Sequence, residues 1–114
     1  MHISALDALP AEAVSHNAAI AKQMMLRSGQ IGNLVYFSRA CFGPGEVAGA
    51  HHHSDMSEVF FVESGQGAIA INGKFHALHP GTCIAVEAGE THEITNTGSQ
   101  DMILLYFGIL SPIS

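Results

Sequence analysis

The chain has 114 residues, which argues for a single domain. Hydrophobic residues make up 47% and charged residues only 12%, a balance that implies a well-buried core and a sparsely charged surface of the kind that hides in an oligomer. The formal charge is −6, and the four basic residues, Lys22, Arg27, Arg39 and Lys74, form no cluster, so nucleic acid is not an expected partner. No run of about 18 apolar residues exists, so no membrane-spanning segment is expected. The N-terminus lacks a basic region followed by an apolar core, so a cytoplasmic location is expected. Cys41 and Cys83 then read as free, buried thiols rather than a disulfide.

Residues 1–19 read as an N-terminal arm, with residues 20–114 forming the domain. Pro10-Ala-Glu-Ala-Val suits one helical turn, with proline at its start. His2 and His16 lie here and read as exposed or as packing at a subunit contact. Ile20 to Arg27 suits a first strand, although Lys-Gln-Met-Met-Leu-Arg is equally helical by propensity. Asn33 to Phe42 is a strand in which Tyr36 and Arg39 take opposite faces, so at most one of them points inward. Gly43-Pro44-Gly45 is a turn. Val47 to His53 and Glu58 to Glu63 are the next strands. Ala68 to Ile71 and Lys74 to Leu78 flank Asn72-Gly73, a pair suited to a type I′ hairpin turn. Thr82 to Val86, Thr91 to Thr95 and Met102 to Gly108 complete the series. Short strands at regular spacing with turn signals between them mean a β-sandwich or β-barrel.

The chemistry concentrates in two stretches. The first runs from Gly45 to Gly65 and reads G-x5-H-x-H-x4-E-x6-G. On a strand, His51 and His53 share one face while His52 takes the other. The second runs from Gly81 to Asn96 and reads G-x5-E-A-G-x2-H-x3-N. In order and spacing the two blocks resemble the two motifs of the cupin superfamily. The motifs cover residues 45–96, and strand patterning extends the likeness from about Lys22 to Ile109. One position departs: Glu87 stands where the family pattern has proline, so the turn before Gly89 loses a fixed φ.

The resemblance implies an all-β, double-stranded β-helix (jelly-roll) barrel of the small single-domain type. Carried over residue by residue, it implies that His51, His53, Glu58 and His92 bind one divalent transition metal. Three imidazoles and a carboxylate permit iron, manganese, nickel, zinc, cobalt or copper and do not choose among them. Strand parity adds Phe60, Val62 and Ile94 as an apolar lining near the metal. Arg27 and Arg39 are the only basic residues expected near the pocket. Asp55 or Glu90 is a candidate partner for the outer nitrogen of a ligand histidine. Cys83 is a candidate neighbour of the pocket, and His76 and His79 read as surface residues.

Two function classes follow from the resemblance. One is a metalloenzyme of dioxygenase, isomerase, decarboxylase or lyase type, acting on a small oxygenated substrate that chelates the metal. The other is a non-catalytic module that binds a sugar-like molecule or organic acid. Apolar strands such as Met102-Ile-Leu-Leu-Tyr-Phe107 lead to the expectation of a homodimer.

Overall fold

A computed structural model of the protein describes residues 1–15 and 17–111. His16, read above as exposed or at a contact, lies outside the described residues. Ten strands follow a short 3-10 turn at Leu6–Ala8. They are β1 (Glu12–Val14), β2 (Asn17–Leu26), β3 (Leu34–Phe42), β4 (Val47–His51), β5 (Met56–Ser64), β6 (Gly67–Ile71), β7 (Lys74–Leu78), β8 (Cys83–Val86), β9 (His92–Asn96) and β10 (Met102–Leu110). All neighbours pair antiparallel, in a six-stranded sheet ordered β1-β2-β3-β10-β5-β8 and a four-stranded sheet ordered β4-β9-β6-β7. This is the jelly-roll barrel that the family resemblance implied, one of the two architectures the strand pattern allowed.

Alternation decides which face is inside. Along β5, Met56, Glu58, Phe60 and Val62 are buried while their odd-numbered neighbours are not. Along β3, Ser38, Ala40 and Phe42 are buried in the same way. The inward residues Ile20, Ile69, Leu78, Met102 and Leu104 are at most 2% exposed and fill the interior between the sheets. Burying each such side chain stabilises the fold by roughly 1.5–3 kcal/mol. Asn96 ties the far end of the barrel, donating from Nδ2 to the carbonyls of Phe42 (2.9 Å) and Gln100 (2.8 Å).

Two local expectations are corrected and one open choice is settled. The segment after Pro10 is a strand, not a helical turn: Glu12–Val14 pairs with β2 and satisfies the edge of that longer strand. Gln23 reinforces this end of the sheet by donating to the carbonyls of Leu6 (2.7 Å) and Leu9 (3.1 Å). The open choice over Ile20–Arg27 resolves as strand, because pairing with β3 overrides helical propensity. The cysteines are free but not buried, since Cys41 is half-buried and Cys83 is exposed. The Asn72-Gly73 hairpin forms as expected, with φ of 50° and 81° at its two central residues.

Candidate metal centre

Local structure brings the candidate residues to one end of the barrel. His51 closes β4 and stands opposite His92, the first residue of β9. A register irregularity between Ala48 and His51 re-aims the end of β4. His53 lies just past the strand, and its carbonyl accepts the Gly89 N–H at 2.7 Å. That bond ties the first motif to the turn of the second. Glu58 enters from β5 with only 4% exposure, and His92 has 2%.

The ligand atoms of His51, His53, Glu58 and His92 all lie within 4.8 Å of one another. The His51 and His92 rings are 4.3 Å apart, those of His51 and His53 5.1 Å, and those of His53 and His92 6.0 Å. Glu58 Oε1 sits 3.1 Å from His92 Nε2 and 3.3 Å from His53 Nε2. Glu58 Oε2 accepts a hydrogen bond from the Tyr36 hydroxyl.

The outer nitrogens set the tautomers. His51 Nδ1 is 2.8 Å from the Gly49 carbonyl, and His92 Nδ1 is 3.4 Å from the Glu90 carbonyl. A carbonyl only accepts, so each Nδ1 carries the proton and each Nε2 presents a lone pair. Glu58 Oε1 and His92 Nε2 are buried without a hydrogen-bond partner among the described residues. Two acceptors facing each other at this distance repel unless a cation lies against both. The donor set therefore fits a divalent metal, and it contains no thiolate. Main-chain carbonyls take the role considered for Asp55 and Glu90. The Glu90 carboxylate instead accepts the Glu87 N–H at 2.8 Å, and Asp55 is exposed.

A cavity of about 150 Å³ opens beside this cluster. Phe60 and Ile94 line it, as strand parity required. Val62 does not. It is 1% exposed and packs in the core. Of the pair on β3, Tyr36 faces the cavity. Arg39 points out and pairs with Glu63 at 3.1 Å. Arg27 is also outside, paired with Glu12 at 2.5 Å. Cys83 is exposed on β8 and is not among the cavity's lining residues. His52, His76 and His79 are exposed.

Sequence reasoning missed two lining residues of consequence, Lys22 and Tyr106. The signal for Lys22 is its parity with Ile20, a core residue two positions earlier on the same strand. Tyr106 stands opposite Phe60 on the neighbouring strand, and their rings stack with centroids 5.5 Å apart. Burial, reinforced by the nearby Glu58 charge, pushes the Tyr106 hydroxyl up to about 12.

The chain resembles known proteins in sequence and in shape. Residues 38–108 match the family model described as the cupin domain. An oxalate-binding protein from Thermotoga maritima is 34% identical over 74 residues, which is 65% of this chain and 61% of that protein, so the match spans less than two thirds of the relative. The crystal structure of a predicted oxalate decarboxylase from Thermotoga maritima superposes with a TM-score of 0.87 at 25% identity, covering 97% of this chain and all of the other. An RmlC-like cupin from Shewanella frigidimarina shares the fold at 18% identity, with a TM-score of 0.79 over 97% of this chain and 92% of its own. With the two motifs, the jelly-roll topology and the family match in agreement, the chain belongs to the cupin family.

Proposed function

We propose that this cupin holds one divalent transition metal through His51, His53, Glu58 and His92 and uses it to take up a small organic acid that chelates through oxygen. The observation that carries this reading is the pair of buried, partnerless acceptors, Glu58 Oε1 and His92 Nε2, inside a four-residue ligand cluster at the wall of a largely apolar cavity. When bound, the metal supplies Lewis acidity toward a chelating carboxylate, hydroxy-ketone or enediol. Tyr36 orients the Glu58 carboxylate, and the carbonyls of Gly49 and Glu90 hold His51 and His92 in the ligating tautomer. Phe60, Ile94 and Tyr106 keep water from the ligand's apolar side and lower the local dielectric, which strengthens the electrostatic contact.

Two names among the similar proteins support an acid as ligand, one a binding protein and one a predicted decarboxylase. Our reading is turnover of the chelated acid, with binding alone as the alternative. Calorimetric titration of oxalate into metal-free and metal-loaded protein tests the site. Strong binding only to the loaded form is expected, and equal affinity for both forms rejects the metal-centred reading. Incubating the loaded protein with oxalate and with 2-hydroxy acids then separates an enzyme, which consumes one of them, from a binding module, which consumes none. His51→Ala and His92→Ala should each lose metal and ligand together, whereas His52→Ala should keep both.

A homodimer in the cytoplasm completes the proposal. The outer face of the six-stranded sheet carries Phe61, which is 40% exposed, and the edge-to-face pair Phe37 and Phe107. A second copy of this apolar face is its simplest cover. An exposed free thiol at Cys83 suits a reducing compartment.

A further inference from the structure

Among the described residues that line the cavity, Lys22 is the one lysine or arginine. Its strand places it there with little freedom. Ile20, two residues earlier, is fully buried, and Ala40, opposite Lys22 in the register, faces the same cavity. The chain's other three cations are spent elsewhere: Arg27 and Arg39 pair with Glu12 and Glu63, and Lys74 is exposed on β7. Among the described residues no carboxylate forms an ion pair with Lys22. Ala40, Phe42, Ile94 and Leu104 give this wall apolar surface, and its one carboxylate, Glu58, belongs to the metal cluster. Glu12, opposite Lys22 in the register, is paired with Arg27, so an anionic ligand is the matching partner for this charge.

Its place relative to the metal ligands sets the length of that anion. Val62, Leu104, Ala40 and Lys22 form one row across the sheet, and Glu58, Gly108 and Tyr36 form another, displaced by four residues along β5. At about 3.4 Å per residue and about 4.8 Å per strand, the Cα atoms of Lys22 and Glu58 would lie roughly 20 Å apart on a flat sheet, and barrel curvature shortens this. With bond lengths of about 1.5 Å, the lysine side chain spans about 6 Å and the glutamate with its metal about as much, so with both reaching toward each other a gap on the order of 8 Å remains. Oxalate, with its carboxylates adjoining, is too short to bridge that gap. An acid with a chelating head and a second carboxylate some three carbons further on matches it.

We infer that Lys22 is the distal anchor and that the preferred ligand is an elongated dianion, chelating the metal at one end and ion-paired with Lys22 at the other. The inference rests on the metal-centred reading above. Its test is calorimetry on the full-length, manganese-loaded protein with two probes that share a chelating head, 2-hydroxyglutarate and 2-hydroxypentanoate, the second having a methyl group in place of the distal carboxylate. The expected result is at least about tenfold tighter binding of the dianion. In Lys22→Met the preference should vanish while 2-hydroxypentanoate and oxalate bind as before and manganese stoichiometry stays unchanged; Lys22→Arg should retain it. Equal affinity of the wild type for both probes overturns the inference, as does a preference that survives in Lys22→Met or an equal loss for both probes. If neither probe nor oxalate distinguishes loaded from metal-free protein, the metal-centred reading has failed and the anchor falls with it.

Discussion

Glu58 is held by the Tyr36 hydroxyl on Oε2, which aims Oε1 at the imidazoles of His53 and His92. A carboxylate oriented before the metal arrives loses less freedom on binding it. Tyr36→Phe removes that restraint and should weaken metal affinity by about 10- to 100-fold while leaving the fold intact. Competition against a metal buffer measures this, and unchanged affinity would show that the histidines alone align the site. Tyr106 carries a different consequence. Its folded pKa of about 12 lies above the usual value of 10.0, because burial disfavours the phenolate. The folded state therefore holds this proton more tightly than the unfolded chain. Its contribution is fully present below pH 10 and is lost as pH rises toward 12, at most about 2–3 kcal/mol in metal-free protein. Urea denaturation across this range should show the loss, and Tyr106→Phe should remove that part of the alkaline slope.

At the scale of elements, the turns between strands hold the centre together. The turn at Glu87–Glu90 lacks the proline of the family pattern, yet it is no looser for it. Glu87 keeps an N–H that proline would not have, and that N–H donates to the Glu90 carboxylate at 2.8 Å. The Glu90 N–H returns to the Glu87 carbonyl at 3.1 Å, and Gly89, with φ of 87°, donates to His53. Gly65 performs a comparable task at the opposite end of β5. Its φ is 83°, and a Cβ there would stand 2.5 Å from the Asp101 carbonyl oxygen. Gly65→Ala combines an unfavourable backbone conformation with overpacking against main chain, and should destabilise the protein by roughly 2–4 kcal/mol. A denaturation midpoint within error of the wild type would refute the close approach.

For the whole molecule, the expectation is a dimer whose shared face is the outer surface of the six-stranded sheet. Light scattering should give a mass near twice 12.0 kDa at micromolar concentration. Phe61→Asp places a charge on that face and should shift the population toward the single chain. A wild type that scatters only as one chain would instead leave Phe61, Phe37 and Phe107 as an uncovered patch.

Much of this is readable in the sequence. The two-residue period places His51 and His53 together and His52 apart, and the same period puts Phe60 and Ile94 on the inner face. Strand order around the barrel followed from the family likeness and not from the residues alone. Parity also misled: it grouped Val62 with Phe60, since alternation reports the inner face of a sheet but not how far along that face the cavity extends. Glu12–Val14 was missed because its strand exists only through pairing with β2, a contact invisible to local propensity.

The sequence by itself pointed to the family and the strand faces, because those depend on residue type and on spacings within short stretches, and the family resemblance in turn implied the four candidate ligands. Only the tertiary structure decided that Tyr36 and not Arg39 reaches Glu58, that main-chain carbonyls orient the histidines, and that Lys22 enters the cavity. The contact of Tyr36 with Glu58 and the cavity that Lys22 lines join segments distant in the chain, set by sheet register and barrel closure. The carbonyls of Gly49 and Glu90, by contrast, lie two residues from the histidines they face and depend on local backbone direction, which residue type alone does not fix.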